Sequence, residues 1–397
     1  RGQKNSWYLL SAMDEDSPYI IPGEEQSFSL SGGRSISNIF RFRRTLDEAS
    51  FFGLLATDRR MVDGDGSGSV VGFDTRYKFN KTYQVEFQTL FSHTQEPKDS
   101  LLVNSTIFGD DHNFTFDGES FTGNAMELEF RRETEHWGLE TGYDHRTPTF
   151  RADNGFISNN NQRRVYLQSF WFYTPDKLIS KIVGGFHTGL EYNFDGEKKS
   201  RYTSFFGNVV LPRQTRLNVN ITVIPFERFK ATDLENLWTI RANINTRFNK
   251  FLALGGSLSE GVNTVTFLDV PEKGNSNSFS LWAQLKISDR MQISGSYENH
   301  KMTTLDKKEE YYSGYLTGVR ATYQHNKAIS LRVLGQYNDF SHTFQLQPLL
   351  SYQPSPFTIF YIGSTSNQIA ENLSINSVQE SQISDRQLFL KFQYLFD

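Results

Sequence analysis

The 397-residue chain is only 37% hydrophobic, with a mean hydropathy of −0.52, yet it is 15% aromatic and carries 35 Phe and 18 Tyr, an imbalance foreign to ordinary soluble domains. No window approaches the roughly 18 consecutive apolar residues of a membrane helix, so a helical membrane protein is excluded. A net charge of −4 with a pI near 6.1 excludes a global cationic field for nucleic acid, and the lack of cysteine excludes disulfides and thiolate metal sites as scaffold.

The chain opens at Arg1 without a charged and then apolar leader, so a secretion signal, together with an upstream domain, is read as removed. Residues 1–25 are read as a lead-in segment or linker from an upstream periplasmic domain, and residues 26–397 as one barrel, although Trp7–Met13 and Gln26–Leu30 both have strand character. From Val70 onward a period of two takes over. Val71, Phe73, Thr75, Tyr77 and Phe79 share one face, while Asp74, Arg76 and Lys78 fall on the other. After an Asn80-Lys81 turn, Tyr83, Val85, Phe87, Thr89 and Phe91 repeat the apolar face against Gln84, Glu86 and Gln88, which makes a hairpin. The rhythm continues with Met126, Leu128 and Phe130 against Glu127, Glu129 and Arg131, and with Trp238, Ile240, Ala242 and Ile244 against Arg241 and Arg247. Later strands place Val319 and Ala321 against Arg320, and Leu331 and Val333 against Arg332.

The connections alternate in length. Short ones include Asn80-Lys81, Arg132–Glu135, Asn249-Lys250, Ser288–Arg290, Asn326-Lys327 and Pro354–Pro356; long ones include Thr94–Ser120, Thr147–Asn161, Gly261–Ser276 and Asn367–Ser384. Short periplasmic turns and long extracellular loops are the habit of outer-membrane barrels, whereas a soluble β-sandwich, the alternative source of alternation, has no such asymmetry. The expected fold is all-β: a transmembrane antiparallel up-and-down β-barrel of about twenty strands, within roughly 16 to 22. It is expected in the outer membrane of a Gram-negative bacterium, with both termini periplasmic.

The chain ends in a strand with Leu388, Leu390, Phe392, Tyr394 and Phe396 on one face, followed by Asp397. This end resembles the terminal strand of outer-membrane proteins, whose aromatic signal, here Phe392, Tyr394 and Phe396, is read by the barrel-assembly machinery. The run Phe52–Asp58, the segment Val71–Phe79, the strand end Phe91–Pro97 and the closing Phe389–Phe396 resemble an uncharacterised bacterial family of outer-membrane barrels. Its members often follow an amino-terminal domain similar to family-nine carbohydrate-binding modules. The resemblance runs from about Pro22 onward and implies an upstream carbohydrate-binding-like domain, but it carries over no catalytic residue.

An inward face is expected to carry Arg41, Arg43, Asp74, Arg76, Lys78, Glu86, Glu127, Glu129, Arg131, Glu140, Asp144, Arg164, Arg241, Arg247, Arg320, Arg332 and Lys391. With both signs interspersed, it reads first as a network stiffening the wall, with a selectivity lining for polar or charged solutes as the compatible functional reading. Asp63-Gly-Asp-Gly-Ser-Gly68 has the first half of a calcium loop, offering Asp63, Asp65 and Ser67, but Asp74 stands where the bidentate Glu should be, so a plain acidic loop is the alternative. Asp110, Asp111, Asp117 and Glu119 allow the same two readings. Phe108, Phe114 and Phe116 make the Thr94–Ser120 loop the candidate occluder of the lumen. No sequence-local catalytic triad surrounds the scattered histidines, and no cofactor is expected. The expected function is a pore or translocation component for polar solutes or a passenger. The alternatives are a non-conducting scaffold binding a protein or glycan through its loops, and a rim-active hydrolase. Expected partners are outer-membrane lipid, lipopolysaccharide and the assembly machinery.

Overall fold

The computed structural model describes residues 4–62, 64–98, 107–109, 112–175, 178–370 and 381–395. Among them there are strands and no helices. They are β1 (Asn5–Asp14), β2 (Pro18–Pro22), β3 (Ser27–Ser31), β4 (Ser35–Thr45), β5 (Phe51–Met61), β6 (Ser67–Phe79), β7 (Tyr83–Gln95), β8 (Ile107–Phe108), β9 (His112–Asn113), β10 (Ser120–Glu133), β11 (Trp137–Arg146) and β12 (Gln162–Tyr173). The remainder are β13 (Lys181–Tyr192), β14 (Lys198–Leu211), β15 (Thr215–Phe229), β16 (Thr232–Arg247), β17 (Leu252–Val265), β18 (Glu272–Lys286), β19 (Met291–Thr304), β20 (Glu310–Gln324), β21 (Ile329–Asn338), β22 (Thr343–Ser355), β23 (Thr358–Ala370) and β24 (Ser381–Tyr394). Twenty of these form one sheet, while β2–β3 and β8–β9 are separate two-stranded pieces. The chain divides into two compact units, 1–172 with 185–204 and 224–236, and 173–184 with 205–223 and 237–397.

In the first unit each sheet strand pairs antiparallel with the next, through β1, β4, β5, β6, β7, β10, β11 and β12. The Asn80-Lys81 turn holds both residues at positive φ, 51° and 57°. With Thr82 they make a three-residue connection that sets Phe79 opposite Tyr83. β1 pairs with β4 from Asn5↔Arg44 to Asp14↔Ser35, so the sheet begins upstream of residue 26. The other early strand candidate, at Gln26–Leu30, becomes β3 and pairs only with β2.

Apolar side chains on the sheet point away from the protein. Val71 and Phe91 are 56% and 55% exposed, whereas their neighbours Val70 and Ser92 are buried. Such an inverted pattern suits a wall solvated by lipid rather than by water. The buried apolar group lies in the connections instead: Tyr19 and Ile21 of β2 pack with Phe114 and Phe116, and Leu30, Met61 and Phe108 flank them.

The second unit continues the antiparallel ladder from β16 through β24. Two expected loops are shorter than their composition suggests. Most of Gly261–Ser276 is strand, because β17 runs to Val265 and β18 starts at Glu272. Asn263↔Gly274 and Val262↔Asn275 keep the ladder going through polar residues, which satisfy a strand as well as apolar ones do where backbone pairing is the only requirement. Likewise β23 and β24 pair out to Ala370↔Ser381, leaving 371–380 outside the described residues. The contrast between long and short ends is therefore strong in the first unit, with connections at 15–34, 96–119 and 147–161, and faint in the second.

Candidate functional site

The inward face of the first unit is built by period-two alternation on six consecutive pairings. Arg41 on β4 reaches across β5 to Asp74 on β6, with Nη1 donating to Oδ1 and Nη2 to Oδ2, the latter at 2.7 Å. Gly53 on β5 makes this reach feasible, since a Cβ there would lie 2.7 Å from Arg41 Nη2 and 2.8 Å from Asp74 Oδ1. Arg76 donates to Glu86 through Nε at 3.0 Å and Nη2 at 3.1 Å. Arg43 and Arg76 both lie over the Phe51 ring, at 3.8 and 5.6 Å. Further along, Arg131 bridges Glu129 at 3.0 Å and Glu140 at 2.9 Å, and Arg164 donates to Asp144 at 2.8 Å. Tyr166 extends over Gly142, where a Cβ would collide with its ring, and donates to Glu129 at 3.1 Å. Glu127 stands opposite Asp144 in the register, and Lys78 is exposed near the turn. These pairs are partly solvated, so each contributes about 0–1 kcal/mol; their main effect is to fix alternating charge along the wall.

Arg241, Arg247, Arg320, Arg332 and Lys391 behave differently. All are exposed, and none forms an ion pair with a carboxylate among the described residues. On β24, Phe392 packs on Phe360 with ring centroids 4.9 Å apart, and Tyr394 is half exposed on the same face. Phe396 lies outside the described residues.

The connections of the first unit hold a second charged group that alternation does not reveal. Glu96, directly after β7, accepts from Arg151 at 2.6 Å, with side chains 0% and 4% exposed. Arg151 also covers the rings of Phe121 and Phe108. Burial pushes the Glu96 carboxyl up to about 7 against the opposing pull of Arg151, and it raises Asp153 as well. Arg59, inward on β5, donates to the carbonyls of Pro18 and Asp153, both at 2.9 Å, and so ties the β2–β3 hairpin to the 147–161 connection. Lys199 anchors the same hairpin through Glu24 at 3.0 Å and Glu25 at 3.4 Å. Alternation along β5 would have yielded Arg59, but no periodicity marks Arg151 or Asp153.

Of the calcium candidates Asp63, Asp65 and Ser67, only the last two lie among the described residues. Ser67 is committed to β6 opposite Arg60 and Gln95, and no acidic group gathers around Asp65 among the described residues. The carboxylates that do converge are Glu96, Asp117 and Glu119, with oxygens within 4.8 Å of one another. Asp117 and Glu119 already accept from Asn113, and Glu119 is bonded to His112 at 2.8 Å. Asp110 and Asp111 lie outside the described residues. The histidine partners are scattered: Asn124 and Tyr143 for His145, Tyr202 for His187 and Glu298 for His300. No bond between a histidine and a serine hydroxyl occurs among the described residues.

No family model and no curated protein matches the chain. Solved structures do. The copper transporter OprC superposes with a TM-score of 0.63 at 10% identity, over 100% of this chain and 76% of its own. A ferric enterobactin receptor mutant from Pseudomonas aeruginosa gives 0.56 at 10% identity, over 100% and 74%. The siderophore receptor PirA from Acinetobacter baumannii gives 0.56 at 9% identity, over 100% and 75%. At such identities the likeness is one of fold. The fold is a transmembrane antiparallel up-and-down β-barrel of twenty sheet strands.

Proposed function

We propose that the chain is an outer-membrane transport barrel that passes polar or charged solutes along its inner wall, with the packed connections of the first unit narrowing the path. The observation that carries this reading is the run of ion pairs Arg41–Asp74, Arg76–Glu86, Arg131–Glu140 and Arg164–Asp144 on one face of successive strands. A wall with no traffic would be filled more cheaply by apolar packing than by half-solvated charges. The copper transporter and siderophore receptors among the structural neighbours support the same reading. Tyr19, Ile21, Phe114 and Phe116 supply the restriction, since they form one buried group among the connections, packed against Met61 at the end of β5.

Single-channel recording in a planar bilayer tests the proposal. Wild-type barrel is expected to conduct weakly. A variant with residues 97–118 replaced by a short Gly/Ser bridge should conduct more, because β7 and β10 remain paired from Gln95↔Ser120 inward and loop length changes stability only slightly. Correctly inserted protein that is silent in both forms would reject transport. The reading would then pass to a surface scaffold, which the exposed ring cluster of Phe267, Tyr312 and Phe340 in the second unit favours.

A further inference from the structure

The outward face should hold only apolar and interfacial residues, yet Arg201 stands on it. Its strand, β14, sends Phe205 outward at 54% exposure, and Arg201 is four residues earlier, on the same face and near the strand's start. Thr203, between them on that face, is bonded to Thr188 at 2.9 Å. Arg201 closes a groove of about 630 Å³ whose apolar wall is Val165, Leu167, Leu190 and Tyr192. Val165 and Leu190 are 54% and 42% exposed, so this groove opens away from the protein. Among the described residues no carboxylate pairs with Arg201. Arg60, two residues before the 62–66 connection at the same end of the sheet, has its charge answered by Asp58 at 3.0 Å.

A second guanidinium lies close by. Arg163 shares its face with Val165, two residues further along β12. It stacks over Phe194 at 5.1 Å and spends Nε and Nη2 on the single carbonyl of Asn193, which leaves Nη1 free to donate. Since β13 separates β12 from β14, the two backbones are about 10 Å apart. Two guanidiniums at that spacing, with Lys198 also lining the groove and its Nζ 4.0 Å over the Phe226 ring, stand above an apolar groove on a lipid-facing wall and complement one class of molecule: an amphiphile with more than one phosphate on a wide head and several acyl chains beneath it.

We infer that Arg201 and Arg163 bind lipid A, the phosphorylated and multiply acylated anchor of lipopolysaccharide, with an acyl chain in the Val165–Leu190 groove. The inference rests on the outer-membrane reading, with the 15–34 and 147–161 connections facing outward. A single-phosphate lipid such as phosphatidylglycerol leaves at least one of the guanidiniums unanswered. The guanidinium fork suits phosphate oxygens, and its attraction grows as lipid replaces water around it.

The test uses delipidated barrel in mild detergent, titrated with lipid A, with dephosphorylated lipid A and with phosphatidylglycerol, while native mass spectrometry reads the bound fraction. Lipid A should bind wild type most tightly, and Arg201→Ala should weaken it roughly tenfold, the loss of a charged hydrogen bond. Arg201→Lys should keep much of the affinity, and Arg60→Ala should keep all of it. Equal binding of dephosphorylated lipid A or of phosphatidylglycerol to wild type would overturn the proposal without any variant. So would unchanged affinity in folded Arg201→Ala. A barrel that is silent in planar bilayers yet prefers lipid A would remove the transport reading and leave this site standing.

Discussion

Glu96 makes the connections of the first unit sensitive to pH. Its carboxyl is raised to about 7 from an ordinary 4.5, chiefly by burial, so the folded loops bind its proton more tightly than the unfolded chain does. Stability from this group is complete below about pH 4.5 and is lost as pH climbs through about 7. Amides of the 112–119 segment should therefore exchange more slowly at pH 5 than at pH 8, after correction for intrinsic rates. Glu96→Gln, which mimics the protonated acid, should flatten most of that difference, with Asp153, raised in the same direction, leaving a remainder. Equal protection of wild type at the two pH values would refute the idea. At this scale the sequence is only half readable. Alternation placed Arg41 and Asp74 on one face, but it could not say that Gly53 clears the path between them, because the gap belongs to the strand in the middle. Glu96 and Arg151 are 55 residues apart and meet only through loop packing.

For the strands, register is the quantity that decides everything else, because a slip of one residue turns a lipid face into a lumen face. Phe87 contacts Phe73 across β6 and β7, while Gln88 is exposed opposite Asp74. Phe87→Arg should cost roughly 2–4 kcal/mol if it lies near the bilayer midplane, and Gln88→Arg should be tolerated. Urea titration of barrel folded into vesicles measures both, and equal losses would contradict the register. Elements with clean alternation, such as β6 and β7, were legible because each outward residue is apolar. β1 was obscured by the sequence Trp-Tyr-Leu-Leu from Trp7 to Leu10, in which apolar residues occupy both faces. The far ends of β17 and β18 were obscured for the opposite reason, since they run past the apolar belt and only backbone pairing defines them.

At the scale of the whole molecule, the strand number was legible from the count of turns, and the twenty-stranded sheet agrees with about twenty. Which end faces the cell exterior is the remaining question, and the cysteine-free chain is suited to answering it. Every connection falls at one of two ends, because successive sheet strands run antiparallel. Within the second unit, residues 305–309 join β19 to β20 at the end of the ladder that also carries the longer 266–271 connection, whereas 325–328 join β20 to β21 at the end that carries 248–251 and 287–290. Lys308 has an 80% exposed side chain and pairs with neighbouring Asp306, and Lys327 is exposed between strands, so cysteine at either position should leave the ladder undisturbed. Long connections at the exterior are the usual arrangement in outer-membrane barrels, since a barrel inserts from the periplasm with its short turns trailing. A membrane-impermeant maleimide added to whole cells should therefore label Lys308→Cys and spare Lys327→Cys until the outer membrane is opened. The reverse pattern would put the 305–309 and 266–271 connections inside and overturn the orientation assigned to the second unit's strands.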